Sequence, residues 1–214
     1  MKTPINRQTI RRHMVYNSWK YILSIILICI VWNLAFTMTA YRSPANLVVD
    51  TYVYGLSDVE KLQSYVDSIH ENEMSDMEQM QVQTVLADET YGSMILMTRM
   101  AAGEGNLYLL PKAEFQSYAS DDAFVRLDEL EGLQEMFEER GINLERGTYR
   151  DETSGERHLY AIPSSCLPGL QDLLGVTTEY YLSIKVNNGN EENTLKFFYA
   201  LIRDTIDVKT ETAE

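Results

Sequence analysis

Met74, Met77 and Met80 recur at every third position, and Met94, Met97 and Met100 repeat the spacing further along the chain. Thioether sulfur is a soft ligand, so such a series, wound on one side of a helix, would suit Cu(I). Methionine is also the flexible filler of apolar cores. That use outweighs copper for both trios, the first set among acids and the second embedded in an apolar stretch. Other metal chemistry has less behind it. The three histidines stand apart at positions 13, 70 and 158, and the acidic pairs Asp121–Asp122 and Glu191–Glu192 lack the spaced oxygen array of a Ca²⁺ loop. The chain holds no Gly-x-Ser-x-Gly elbow, His-Glu-x-x-His, Walker loop or Cys-x-x-Cys. The expectation is a non-catalytic protein with no cofactor.

Whatever the chain does, it does beside a membrane. Tyr21 to Ala40 is a run of twenty residues without a charge, and a helix of that length rises about 30 Å, the thickness of a bilayer's hydrocarbon core. Lys2, Arg7, Arg11, Arg12 and Lys20 precede it with no acidic residue among them. Basic flanks stay inside, which predicts a cytoplasmic N-terminus and an extracytoplasmic remainder. A cleaved signal would have a shorter apolar region closed by a small-x-small site, whereas Met38-Thr39-Ala40 puts a large residue first. The span is therefore read as a retained anchor. Cys29 follows Ile28 rather than the small residue of a lipoprotein site, and Asn33 reads as an amide tolerated near the outer end of the span.

After residue 42 the chain carries 12 basic side chains against 32 acidic ones, a formal charge of −20. Nucleic acid and anionic lipid surfaces are excluded as partners of so negative a domain. Cys166 is the one cysteine beyond the span, so no intrachain disulfide forms there. The resulting organisation is a basic cytoplasmic tail at 1–20, a transmembrane helix at 21–40, a linker at 41–45, one α/β domain at 46–203 and a polar tail at 204–214.

Within the domain, Asn46 to Tyr54 is β-branched and aromatic and closes at Gly55, as a buried strand does. Ser57 and Glu60 form a capping box for a helix whose Leu62, Tyr65, Val66 and Ile69 share one face. Strands follow at 81–86 and 106–110, with helices at 90–102 and from Pro111 to about Ala119. Asp128 and Glu131 make a second box, opening a helix that buries Leu130, Leu133 and Phe137 and stops at Gly141. Residues 148–150 and 158–162 read as a hairpin whose second arm ends at Pro163, 164–176 as irregular with one helical turn, and 179–186 as a strand. A last helix presents Leu195, Phe198, Tyr199 and Ile202 inward.

The stretch RMAAGEGNLYLLPKAEFQSYASDDAFVRLDEL at 99–130 resembles the solute-binding proteins of ABC importers. In that family an Ala-Ala-Gly turn leads into a strand, a short helix bearing Phe and Tyr, and a Phe-x-x-Leu-Asp segment. The order of elements over residues 46–203 agrees, and the resemblance implies an α/β fold: one lobe of a periplasmic-binding-protein fold behind an N-terminal transmembrane helix. Two departures stand out. Asn106 occupies the place where the family's turn carries Asp, and only about fifteen residues separate Pro163 from Glu179, where the family inserts a second lobe. Capture by closure of two lobes is thus not implied. A surviving site would lie at the C-terminal ends of the strands, which selects Gly55, Leu56 and Ser57 after the first and Pro111, Lys112 and Glu114 after the third. The ordinary use of these residues, Ser57 as a cap and Lys112 in solvent, is the stronger expectation.

The expected function is that of a membrane-anchored, non-catalytic recognition module for a protein partner of the bacterial envelope or a transporter. A small-solute sensor or accessory binder, and Cu(I) handling through Met74, Met77 and Met80, are the alternatives.

Overall fold

The computed structural model describes residues 7–41, 43–56, 58–88, 91–150 and 155–207. Residues 1–42 and 43–214 form two separate units.

The first is one helix, α1 (Arg7–Thr39). From His13 to Thr39 it has a mean hydropathy of 2.2 and none of its apolar window is buried, so it is long and apolar enough to cross a membrane. Residues 7–20, expected to be a tail, continue the same helix. Three of the hydroxyls in its apolar part are satisfied internally. Ser24, Thr37 and Thr39 donate to the carbonyls of Lys20, Asn33 and Ala35 at 2.7–2.8 Å, which removes the cost of a bare hydroxyl in hydrocarbon.

The second unit is built on a five-stranded sheet. β1 (Val48–Tyr54) pairs in parallel with β2 (Gln79–Val85) on one side and with β3 (Leu107–Pro111) on the other. β7 (Tyr180–Ile184) runs antiparallel to β3, and the two-residue β6 (Ile162–Pro163) antiparallel to β7, giving the order β2-β1-β3-β7-β6. Period-two alternation sends neighbouring side chains to opposite faces. Val49, Val53, Leu107 and Leu109 join the buried side chains of α2 (Glu60–Asn72), α6 (Pro168–Leu174) and α7 (Glu191–Thr205), among them Leu62, Val66, Leu170, Phe198 and Ile202. Tyr52, Tyr54, Tyr108 and Leu110 face α3 (Gly92–Ala101) and α4 (Lys112–Ala119) through Leu96, Met100 and Phe115. The result is a mixed α/β sandwich with one aliphatic and one aromatic core.

The second expected capping box, Asp128 with Glu131, does not form. Ser57 lies outside the described residues, and α2 starts at Glu60, whose amide donates to Asp58 Oδ1 at 3.1 Å. Asp128 is drawn instead into a tertiary contact: it accepts from His158 Nδ1 at 2.8 Å, while α5 (Leu133–Glu138) opens after Gly132, at φ 76°. On α7 the inner face is carried by Phe197, Phe198, Leu201 and Ile202, with Leu195 and Tyr199 half-buried at its margin.

The hairpin is present, β4 (Thr148–Arg150) against β5 (Arg157–Leu159), but its second arm does not run unbroken to Pro163. After Leu159 the chain leaves the hairpin and enters the main sheet at Ile162. The crossing is pinned by the Gly147 carbonyl, which accepts from the amides of Tyr160 and Ala161 at 3.1 and 3.2 Å.

Candidate functional site at the strand ends

The three parallel strands deliver their C-terminal ends to one edge of the sheet, and β7 begins there. Gly55, at φ 85°, turns the chain after β1; a Cβ built on it would lie 3.6 Å from the Tyr180 hydroxyl and 3.5 Å from Ala87 Cβ. Leu56 is half-buried and packs on the aliphatic core. Pro111, at φ −61°, ends β3 and precedes α4, Lys112 is exposed, and Glu114 is half-buried in the first turn of α4. Glu114 is where the predicted residues meet something. Its charge acts on Tyr54, Tyr118 and Tyr180, all three raised above the ordinary phenol value, chiefly by burial and then by neighbours that include this carboxylate. The hydroxyls stay protonated at neutral pH. They are present as hydrogen-bond donors.

Glu179, just before β7, accepts from Ser165 Oγ at 2.6 Å, Tyr181 Oη at 2.9 Å and Arg146 Nη1 at 3.1 Å. Burial alone would raise its carboxyl; the three donors outweigh it and hold the group below the usual range. Tyr54, Tyr118, Tyr180 and Glu179 were not singled out from the sequence. The available signal was position: Tyr54 is the last residue of β1 and Tyr180 the first of β7.

The methionine trios part company. α2 stops at Asn72, before Met74, and among the three only Met80 stands in β2, so no single helix gathers their sulfurs. All three are buried in the aliphatic core, as the filling role implies. In the second trio only Met100 is buried; Met94 and Met97 are 61% and 65% exposed, against the expectation of core. Leu86, Tyr91 and Ile95 are also exposed. Tyr91, Met94 and Ile95 are neighbours at i, i+3 and i+4, and the loop carrying Leu86 rests on the first turn of α3, where a Cβ on Gly92 would come 2.7 Å from the Leu86 carbonyl oxygen. Tyr91, Met94, Ile95 and Met97 thus leave the outer side of α3 apolar and exposed, and Leu86 is exposed in the loop before it.

The remaining histidine and carboxylate chemistry is structural. His70 Nε2 bonds the Met77 carbonyl oxygen at 2.8 Å, tying α2 to the approach to β2. At the opposite edge of the sheet, Asp50 is pushed up to about 6 by burial and then by the charge of Glu104, and its Oδ1 has no hydrogen-bond partner. A hollow of about 330 Å³ opens there between Asp50, Glu104, Asn106 and Asn188. A carboxyl raised on folding contributes stability that is present below its unfolded value, 3.8, and is lost as pH rises through about 6. Asp50→Asn is therefore expected to flatten the fall in melting temperature between pH 4 and 7, measured by thermal denaturation of both proteins across that range. An unchanged slope would remove Asp50 as its source.

No protein-family model matches the chain, and no curated protein does. Solved structures match it over part of its length. An extracellular solute-binding protein family 1 from Alicyclobacillus acidocaldarius is 15% identical, with a TM-score of 0.40 over 58% of this chain and 29% of that one. CpMnBP1 with mannobiose bound is 17% identical, TM-score 0.38, over 55% and 29%. A Listeria monocytogenes EGD-e protein is 14% identical, TM-score 0.40, over 55% and 28%. The matches span less than a third of the length of those proteins. Likeness of this degree concerns the α/β chain trace and not what any of them binds.

Proposed function

We propose that this protein is a membrane-anchored, non-catalytic recognition module, its N-terminus cytoplasmic and its α/β domain extracytoplasmic, that docks a protein of the bacterial envelope or a transporter on the outer face of α3. The observation that carries the reading is the exposed apolar outer side of α3, with Tyr91, Met94, Ile95 and Met97, and the exposed Leu86 in the loop before it, on an otherwise strongly acidic domain. Contiguous apolar surface on a soluble domain marks a contact site, and flexible methionines suit one. A photo-crosslinking side chain placed at Met94 of the full chain in native membranes should give a discrete protein adduct, and the same group at the exposed Glu135 of α5 should give none. Ile95→Asp with Met97→Asp is expected to lower the adduct about 30-fold, as loss of a central contact does. Equal labelling from both positions would sink the reading.

A second reading, a small polar solute held at the strand ends, is favoured by the three phenols gathered about Glu114. Saturation at 100 times Kd should add about 2.7 kcal/mol of stability. A panel of sugars, amino acids and peptides at millimolar concentration that leaves the melting temperature unmoved, or moves that of Glu114→Gln equally, would discard it.

A further inference from the structure

β2 is an edge strand. Its Val85 carbonyl accepts from the Gly55 amide of β1, so odd-numbered residues pair inward, and period-two alternation turns the backbone groups of Met80, Val82 and Thr84 outward. An edge of that kind is a template for another strand unless something occupies it. Among the described residues the occupant is one side chain. Gln63, on α2, accepts from the Val82 amide through Oε1 at 2.7 Å and donates through Nε2 to the Met80 carbonyl at 3.4 Å. Asp67 accepts from the same Nε2 at 2.7 Å, which fixes the amide with its oxygen toward Val82. One donor and one acceptor two residues apart along β2 are what the N–H and C=O of a single residue in a parallel neighbouring strand would satisfy. Beside it lies a groove of about 500 Å³ lined by Asp58, Val59, Glu60, Gln63 and Val82.

We infer that the β2 edge is a strand-addition site for an extended, Lys/Arg-flanked segment of a protein partner, with the Gln63 amide as the stand-in that the incoming backbone displaces. Main-chain hydrogen bonds supply the attraction in such additions, and alternate side chains supply choice. The charge requirement comes from the groove's own carboxylates, Asp58 and Glu60, and from the −20 of the domain. A second copy is disfavoured on the same ground: β2 is flanked by Asp76, Glu78 and Asp88, and antiparallel pairing with its twin would set like charges together.

The test uses the full chain in nanodiscs and a fluorescent eight-residue peptide of alternating valine and threonine with a lysine at each end. Gln63→Ala removes the competitor, so it should bind the peptide about tenfold more tightly than the unaltered protein, two modest hydrogen bonds being released from competition. The same peptide N-methylated on the amides that face β2 should not bind, and a glutamate-flanked version should bind at least about tenfold more weakly. Val82→Pro should abolish binding by removing the outward N–H. Equal affinity for Gln63→Ala and the unaltered protein, no binding by either at millimolar peptide, or equal binding of the N-methylated peptide would each overturn the inference. Dimerisation of Gln63→Ala without peptide would overturn it in favour of a second copy. The α3 crosslinking experiment is read separately, so either result can fail alone.

Discussion

Gly147→Ala is expected to cost about 4 kcal/mol, the range of severe core overpacking, and to lower the melting temperature by about 10 °C. Gly147 is buried where the hairpin hands the chain to the main sheet. A Cβ there would overlap the Ala161 carbonyl oxygen, come 2.9 Å from its carbon and sit 3.0 Å from Leu159 Cδ1. The obstruction is mostly backbone, and that backbone is held in place by the two amides that bond the Gly147 carbonyl. Relief would require moving β5 and β6 together. Gly141→Ala is the control: Gly141 is left-handed, at φ 67°, with nothing within 4 Å of a built Cβ, so only the intrinsic penalty of about 1–2 kcal/mol applies. Thermal melts of both variants decide the matter. A Gly147→Ala melting temperature equal to or above that of Gly141→Ala would mean that the crossing yields.

Phe124→Ala should cost about 3–5 kcal/mol, as truncation of a buried aromatic does. Phe124 links two stacked pairs across the aromatic core, Tyr52 with Tyr108 at 5.5 Å and Phe115 with Tyr181 at 4.8 Å, its ring standing 6.3 Å from Tyr108 and 6.2 Å from Phe115. Its neighbours hold the backbone to β7 through Val125 N–H to the Ile184 carbonyl and Val186 N–H to the Ala123 carbonyl. The strand cannot follow the missing ring inward, so the cavity stays open. Denaturant titration should show a lower midpoint at an unchanged slope. A loss under about 1.5 kcal/mol would place the strength of this core elsewhere.

Much of the fold was legible because β1, β3 and α7 are written in runs whose periodicity leaves little choice: Leu107 to Leu110 is apolar at every position and became the middle strand of the sheet. The caps were less legible. A Ser-x-x-Glu or Asp-x-x-Glu pattern weighs only local hydrogen bonds, and Asp128 found a better partner in His158, thirty residues away. The strand-end rule pointed to Gly55 and Glu114 at one end of the sheet, yet missed the tyrosines around them. Their convergence depends on β7 returning antiparallel next to β3, which no local pattern encodes. The α3 face was misread for a different reason. Met94, Ile95, Leu96, Met97 and Met100 make a helix apolar nearly all round, and such a helix is ordinarily taken as buried. Here only its Gly92, Leu96 and Met100 side is.

That shallow seating has a mechanical consequence. Ten residues of α3 are anchored by three buried positions, with Arg99 reaching down to Tyr52 and Gln83 as a polar strut at 3.0 and 2.9 Å. The aliphatic core on the far side of the sheet contributes nothing to holding it. The outward side chains Met94 and Met97 belong to neither core and can change rotamer without disturbing the rest of the domain. Their unbranched thioethers can then mould themselves to the contour of whatever settles on them, so one rigid scaffold carries a compliant pad.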